Sequence, residues 1–295
     1  MKVAITGASG LIGGALVEDL RGGGHDVVRL VRREPVTADE ARWDPHGTVD
    51  GKALEGCDAV VHLAGAGVAD RPWTDAYKRK IRDSRVRGTR ALAEAIATLG
   101  DGPKVLVSGS AIGYYGDTAG REVDEESPMG GGFLAELVRD WEAAAAPAVD
   151  AGVRVVHART GIVLAREGGS LGKTLPLFKL GLGGKLGDGR QWVSWISMTD
   201  QIAALRHLIE GELSGPVNLT APSPVTNATY TRAVGKALGR PAVLAVPKVA
   251  LRLALRGLAD EGPLISQRVL PRRLETSGFS FAHADVASAV RAAIG

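Results

Sequence analysis

Three glycines stand at a three-residue spacing in Lys2-Val-Ala-Ile-Thr-Gly7-Ala-Ser-Gly10-Leu-Ile-Gly13. An apolar run precedes them and a helical pattern, Leu11–Leu20, follows. This is the setting in which a glycine-rich turn holds a dinucleotide pyrophosphate. Gly7 supplies the tight turn after the strand. Gly10 lets backbone N–H groups approach the phosphates at a helix N-terminus, where the helix dipole favours negative charge. Gly13 lets helix and strand pack closely. Ser9, Leu11 and Ile12 lie in the same turn, and Ser9 offers a hydroxyl to the same phosphate. The next strand ends Leu30-Val-Arg32-Arg33. An acid at that place binds the ribose 2′-hydroxyl of NAD, whereas an arginine pairs with the 2′-phosphate of NADP. The first acid, Glu34, comes after both arginines, so Arg32 and Arg33 predict NADP(H). Leu63-Ala64-Gly65 closes the third strand, where small residues let adenine and ribose lie against backbone.

Proton chemistry has fewer candidates. Tyr114 and Tyr115 follow the strand Val105-Leu-Val-Ser-Gly-Ser110, at the carboxyl end where ligands bind in such sheets. They either titrate or simply pack. Arg85 and Lys80 share one long helix; Arg85 either reaches phosphate or substrate, or lies on a solvated face. Lys173 follows a glycine-rich stretch and would meet an anion if that loop closes over substrate. Arg190 and Trp192, in Gly187-Asp-Gly-Arg-Gln-Trp-Val-Ser-Trp195, could hold an anionic or ring-bearing substrate, while Trp195 reads as structural packing. Gly168-Gly-Ser170-Leu-Gly172 has the spacing of a hydrolase nucleophile elbow, but such an elbow belongs to another fold. The six histidines make no metal-ligand spacing with one another or with Cys57, so no metal is expected. Lys248, Arg252 and Arg256 fall on one helical stripe, which reads as a solvated face in preference to membrane docking.

The elements that would position these residues alternate. Strands are predicted at 2–6, 26–31, 59–64, 104–108, 154–163 and 217–219. Helices are predicted at 11–21, 75–99, 133–148 and 199–210. Runs such as Val-Val-His-Leu-Ala are apolar on both faces, as buried parallel strands are. The pattern predicts an α/β fold, a doubly wound parallel sheet of Rossmann type. After Ala221-Pro-Ser-Pro224 the chain turns mainly helical, at 227–238, 248–258 and 285–293. This divides it into a dinucleotide-binding domain, residues 1–221, and a small C-terminal lobe, 222–295. Residues 165–195 contribute to the cleft between them, and Gly181–Gly189 is expected to be a loop, mobile or plain. Composition agrees: 45% of residues are hydrophobic, only 4% are aromatic, and 36 basic residues nearly balance 33 acidic ones. That balance argues against nucleic acid. One cysteine excludes an internal disulfide. With the first strand starting at Lys2 and no long apolar run, the expectation is a soluble cytoplasmic protein with a small-molecule substrate, no membrane partner and an open oligomeric state.

The chain resembles the extended short-chain dehydrogenase/reductases, on the glycine fingerprint, His62-Leu-Ala-Gly65, Val105 to Ser110 and Tyr115-Gly-Asp117. Trp73 to Arg85, Ser110-Ala-Ile-Gly-Tyr-Tyr-Gly116, Phe133 to Glu142, Arg159-Thr-Gly-Ile-Val-Leu164, Ser194-Trp-Ile-Ser and Leu270 to Phe281 narrow the resemblance. They match an atypical branch, the epimerase family proteins labelled nucleoside-diphosphate-sugar epimerases. The resemblance implies an NADP-dependent oxidoreductase or epimerase. In that superfamily a Tyr-x-x-x-Lys pair moves the proton while hydride moves to or from nicotinamide. None of the four tyrosines here has a lysine four positions on. With Glu142 aligned to the acid that follows the motif, Leu134 and Val138 stand where tyrosine and lysine belong. Ser110 keeps the place of the catalytic serine, where it would orient a carbonyl while Tyr115, with Tyr114 in reserve, supplies the proton. The rival is a non-catalytic protein that binds NADP and reports its redox state.

Overall fold

Strands with no polar face need cover on both sides, and here they receive it. The computed structural model describes every residue except His46, Thr48 and Asp50. Strands β1 (Lys2–Thr6), β2 (Asp26–Val31), β3 (Glu40–Arg42), β4 (Ala59–His62), β5 (Val105–Ala111), β6 (Arg154–Thr160) and β7 (Gly215–Leu219) form one sheet. Its order is β7-β6-β5-β4-β1-β2-β3. The pairs β1–β2, β2–β3, β1–β4 and β4–β5 are parallel. Strand order reverses direction at β1, between β2 and β4, which is where an open α/β sheet leaves a crevice at its carboxyl edge.

The helices are α1 (Leu11–Gly22), α2 (Asp75–Ala97), α3 (Phe133–Ala143), α4 (Ala146–Asp150), α5 (Gly169–Lys179), α6 (Met198–Glu210), α7 (Asn227–Ala237), α8 (Lys248–Leu255), α9 (Leu258–Glu261), α10 (Arg272–Thr276) and α11 (Val286–Ile294). The chain forms two compact units that interleave in sequence. One holds Met1–Ser110, Leu137–Ala158 and Leu205–Val217; the other holds Ala111–Glu136, Arg159–Ala204 and Asn218–Gly295. The division expected at residue 221 lies near the last of these crossings, and two earlier stretches join the C-terminal residues.

In the first unit, Leu30, Leu54, Leu92, Ile96, Leu106 and Val155 form one buried cluster. Trp141 Nε1 donates to Thr89 Oγ1 at 2.9 Å, tying the end of α3 to α2. The Arg154 guanidinium donates to the carbonyls of Leu208, Ile209 and Leu213, which closes the otherwise unpaired C-terminus of α6. In the second unit, Leu164, Leu171, Phe178, Trp195, Val234 and Val290 share a core. Short parallel pairs brace it, Ile162–Leu164 with Trp195–Ser197 and Gly184–Leu186 with Leu244–Val246.

Five local expectations need correction. The strand predicted over 154–163 breaks at Gly161, where the chain changes partner: the Gly161 N–H donates to Leu219 and the Ile162 N–H to Ser194, and Ile162–Leu164 then pairs with Trp195–Ser197. The helix predicted over 133–148 ends at Ala143 and restarts at Ala146, because Pro147 has no N–H to continue it. The helix predicted over 248–258 stops at Leu255, where Arg256 turns to φ +52° before Gly257. Residues 184–186 form a strand inside the expected loop, and Gly169–Lys179, the expected cleft loop, is helix α5.

Trp195 has no exposed surface, and its Nε1 donates to the Ser223 carbonyl at 3.1 Å. Trp195→Ala should lower unfolding free energy by about 3–5 kcal/mol. Trp192→Ala, at a half-buried ring, should cost clearly less; urea unfolding measures both.

Candidate functional site

The cleft begins with a backbone contact. Gly7 has φ +71°, and a Cβ on it would lie 2.8 Å from the Leu63 carbonyl carbon and 2.9 Å from the Ala64 nitrogen. A Cβ on Gly13 would lie 2.2 Å from the Gly7 oxygen. Gly10 donates its N–H to that oxygen at 2.9 Å and opens α1 with extended backbone. By helix geometry the N–H groups of Leu11, Ile12 and Gly13 have no acceptor within α1, which suits an anion.

Thr6 sets the other wall. Its Oγ1 accepts N–H groups from Leu63 (3.2 Å) and Ala64 (3.3 Å), leaving its own proton for His62 Nδ1 at 2.7 Å. The cleft that results, about 1120 Å³, is lined by Gly7–Gly10, Arg29–Arg33, Leu63–Gly67 and the first turns of α2, including Lys80. All of these belong to the first unit. Arg85 lies under the loop instead of on an open helix face. Its Nη1 donates to the Ala66 carbonyl at 2.8 Å, and its Cζ lies 5.0 Å from the Trp141 ring centroid. Burial pulls its pKa down to about 10.

The two arginines ending β2 have different surroundings. Arg33 grips the Glu40 carboxylate with both terminal nitrogens, at 2.8 and 2.6 Å. Glu40 also accepts the Val36 N–H at 2.8 Å and faces Arg29 at 3.2 Å. The Arg33 hydrogen bond, then the Val36 N–H, hold the Glu40 pKa down at about 2. Arg29 in turn binds Asp39 at 2.7 Å, and Arg21 binds the same carboxylate. Arg32 is exposed on the cleft wall, outside this chain of pairs.

The proton candidates are engaged within the protein. Ser110 is 5% exposed and donates to Glu142 Oε1 at 2.6 Å, within the first unit. In the second unit, Tyr115 is 3% exposed and donates to Asn218 Oδ1 at 2.8 Å, while Arg159 donates to its oxygen at 3.0 Å. Burial pushes the Tyr115 pKa up to about 12. Tyr114 is half-buried, with the Arg159 Cζ 3.5 Å from its ring centroid. Leu134 and Val138 sit on α3, and the Leu134 N–H donates to Glu261 Oε2 at 2.8 Å. Lys173 is exposed on α5 and Arg190 is exposed beside Asp188; Trp192 lies 4.3 Å from the Arg268 Cζ.

Residues 3–219 match the NAD dependent epimerase/dehydratase family, and residues 246–293 match a domain of unknown function. The chain belongs to the NAD-dependent epimerase/dehydratase family. An epimerase family protein of Mycobacterium bovis is 50% identical over 98% of this chain and 96% of its own length. A crystal structure of a human epimerase family protein with NADPH superposes with a TM-score of 0.91 at 34% identity, covering 99% of this chain and 98% of that one. A nucleoside-diphosphate sugar epimerase structure from Corynebacterium glutamicum has a TM-score of 0.81 at 40% identity, covering 98% of this chain and 57% of that one. These relatives place the chain in the extended, epimerase-type branch of the short-chain dehydrogenase/reductases.

Sequence reading missed Thr6, Glu40 and Glu261. Thr6 was within reach, since β1 and β4 as neighbours set Thr6 opposite His62. Glu40 is seven positions from Arg33 but meets it only when β3 pairs with β2, and Glu261 carries no local signal, since Leu134 is 127 positions away. His62 is wholly buried, and burial, with repulsion from Arg85 second, lowers its pKa from 6.5 to about 4. The unfolded chain therefore takes up this proton first. Stability should be full above pH 6.5 and fall as pH drops toward 4, by on the order of 1 kcal/mol per pH unit. His62→Asn should flatten that limb in urea unfolding at stepped pH.

Proposed function

We propose that this chain binds NADP(H) in the cleft of the first unit and transfers hydride as an oxidoreductase or epimerase. The substrate is a small polar molecule, with nucleotide-linked sugars in the class, and the setting is cytoplasmic. One observation carries the cofactor reading. The glycine turn and helix start form a phosphate cradle, and the exposed Arg32 stands at the β2 end of the same cleft, where a 2′-phosphate belongs. Arg33, already saturated by Glu40, then serves as wall. Gly7, Ser9, Gly10, Leu11, Ile12 and Gly13 take the pyrophosphate; Leu63, Ala64 and Gly65 face adenosine; Arg85 supports that loop from below. The NADPH in the human relative's crystal structure supports this choice over NAD.

For the reaction, Ser110 orients the reacting carbonyl through its hydroxyl once Glu142 shares it. The proton comes from Tyr114 or a bound water, since the Tyr115 hydroxyl is committed to Asn218. Lys173, Arg190 and Trp192 remain substrate contacts in this reading. A second reading, a non-catalytic NADP sensor, is favoured by one specific feature. Ser110 and Tyr115 donate inward, and the resemblance, with Glu142 aligned to the acid after the motif, puts Leu134 and Val138 where the proton-transferring pair belongs.

Titrating the protein with NADPH and NADH tests the cofactor. A desolvated arginine–phosphate pair should favour NADPH by ~1.5–3 kcal/mol, roughly 10- to 100-fold. Arg32→Ala should remove most of that preference; Arg33→Ala should weaken both cofactors and keep the ratio. Equal affinities in the unaltered protein would refute the assignment. Incubation with NADPH and a broad metabolite extract, followed by absorbance and mass, separates the readings: turnover supports the enzyme, and persistent silence supports the sensor.

A further inference from the structure

Among the described residues, seven of the ten exposed large hydrophobic side chains fall in two short stretches of the second unit. Leu177, Leu180 and Leu182 follow one another at the end of α5, with Leu180 73% exposed. Val243, Leu244, Val249 and Leu253 run through the second stretch, 46–83% exposed. The fold joins the two. Leu244 pairs with Gly184 in parallel register, and a Cβ on Gly187 would touch the Lys248 side chain at 2.8 Å. Helix α8 has no buried residue. A two-turn helix is marginal in water without a packed face, and this one turns Val249 and Leu253, four apart on one stripe, outward.

The charge around these side chains is one-sided. Residues 177–188 and 240–261 hold six basic residues, Lys179, Lys185, Arg240, Lys248, Arg252 and Arg256, against Asp188, Asp260 and Glu261. Glu261 is occupied at the start of α3. The excess equals the +3 of the whole chain.

We propose that this basic, apolar face docks on an anionic bilayer surface, with Val249, Leu253 and the leucines after α5 inserted among the headgroups. Protruding side chains fit a deformable partner that needs no shaped pocket, and long basic side chains reach the headgroups as the apolar ones enter. Self-association through this face would set its cations against their own copies, whereas anionic headgroups neutralise them. Among the described residues no helix is long and apolar enough to cross a membrane, so the contact is peripheral. It replaces the solvated-face reading of α8 and adds to the proposed function without resting on it.

Sedimentation with vesicles tests the proposal. The full chain should bind vesicles of phosphatidylcholine with phosphatidylglycerol, bind phosphatidylcholine alone far less, and release as salt rises. Val249→Glu with Leu253→Glu should reduce bound protein roughly tenfold or more, with NADPH affinity unchanged as the check on folding. Val149→Glu, an exposed apolar site in the first unit, should leave vesicle binding intact. No binding to either vesicle, equal binding to both, or binding indifferent to the Val249/Leu253 pair overturns it. A dimer in analytical ultracentrifugation that the same pair abolishes would also overturn it, by assigning the face to a second copy.

Discussion

A side chain at residue 7 would have nowhere to go. The backbone there turns left-handed against the Leu63–Ala64 peptide, and Gly13 closes on the Gly7 carbonyl from the other side. These contacts have no side-chain atoms to spare, so the turn, α1 and the end of β4 are fixed relative to one another by main chain alone. Thr6 reinforces the same junction, because its one hydroxyl meets two N–H groups and the His62 ring. The helix start and the Leu63–Gly67 loop can then hold a cradle open with no ligand present, and binding need not order them.

Beyond the cradle the cleft wall is organised by charge. Arg21, Asp39, Arg29, Glu40 and Arg33 form a chain of alternating sign. Glu40 is the pivot, a carboxylate whose side chain is 1% exposed with an arginine on either side. An acid here would oppose a 2′-phosphate if it stood alone. Paired with Arg29 and Arg33 its charge is more than offset, and Arg32 stays exposed on the cleft wall outside these pairs. Two adjacent arginines that look equivalent in the chain thus acquire different work from one residue that arrives on the next strand.

The fold was legible where local pattern and burial coincide. Doubly apolar strands have only one place to go, so the sheet and the glycine turn could be read directly. Breaks were less legible: the helix predicted over 133–148 ran through Pro147 although that signal is local, whereas at Gly161 the chain changes partner, from Leu219 to Ser194, which only the fold supplies. The lining of the first unit's cleft was readable for the same reason, since its residues sit at strand ends in fixed order. Nothing within the chain's own neighbourhood marks Asn218 as the acceptor for Tyr115, 103 positions away.

That buried pair sets what the Tyr115 hydroxyl can do. Asn218 is pinned from several directions: its Nδ2 donates to the Leu270 carbonyl, and its N–H donates to Glu125. Glu125, raised in pKa by burial, also accepts from the Arg273 N–H. A phenol that donates into such a frame and accepts from Arg159 has its geometry set by the frame. Releasing its proton would leave Asn218 Oδ1 without its donor in a buried place, at a cost of about 1–3 kcal/mol, on top of a pKa near 12. Tyr115 is therefore an anchor that ties the turn after β5 to Asn218 on β7. Tyr114 stands outside that frame: its half-buried ring packs on the Arg159 guanidinium and edge-on to Tyr115, so the two adjacent tyrosines are held by different forces.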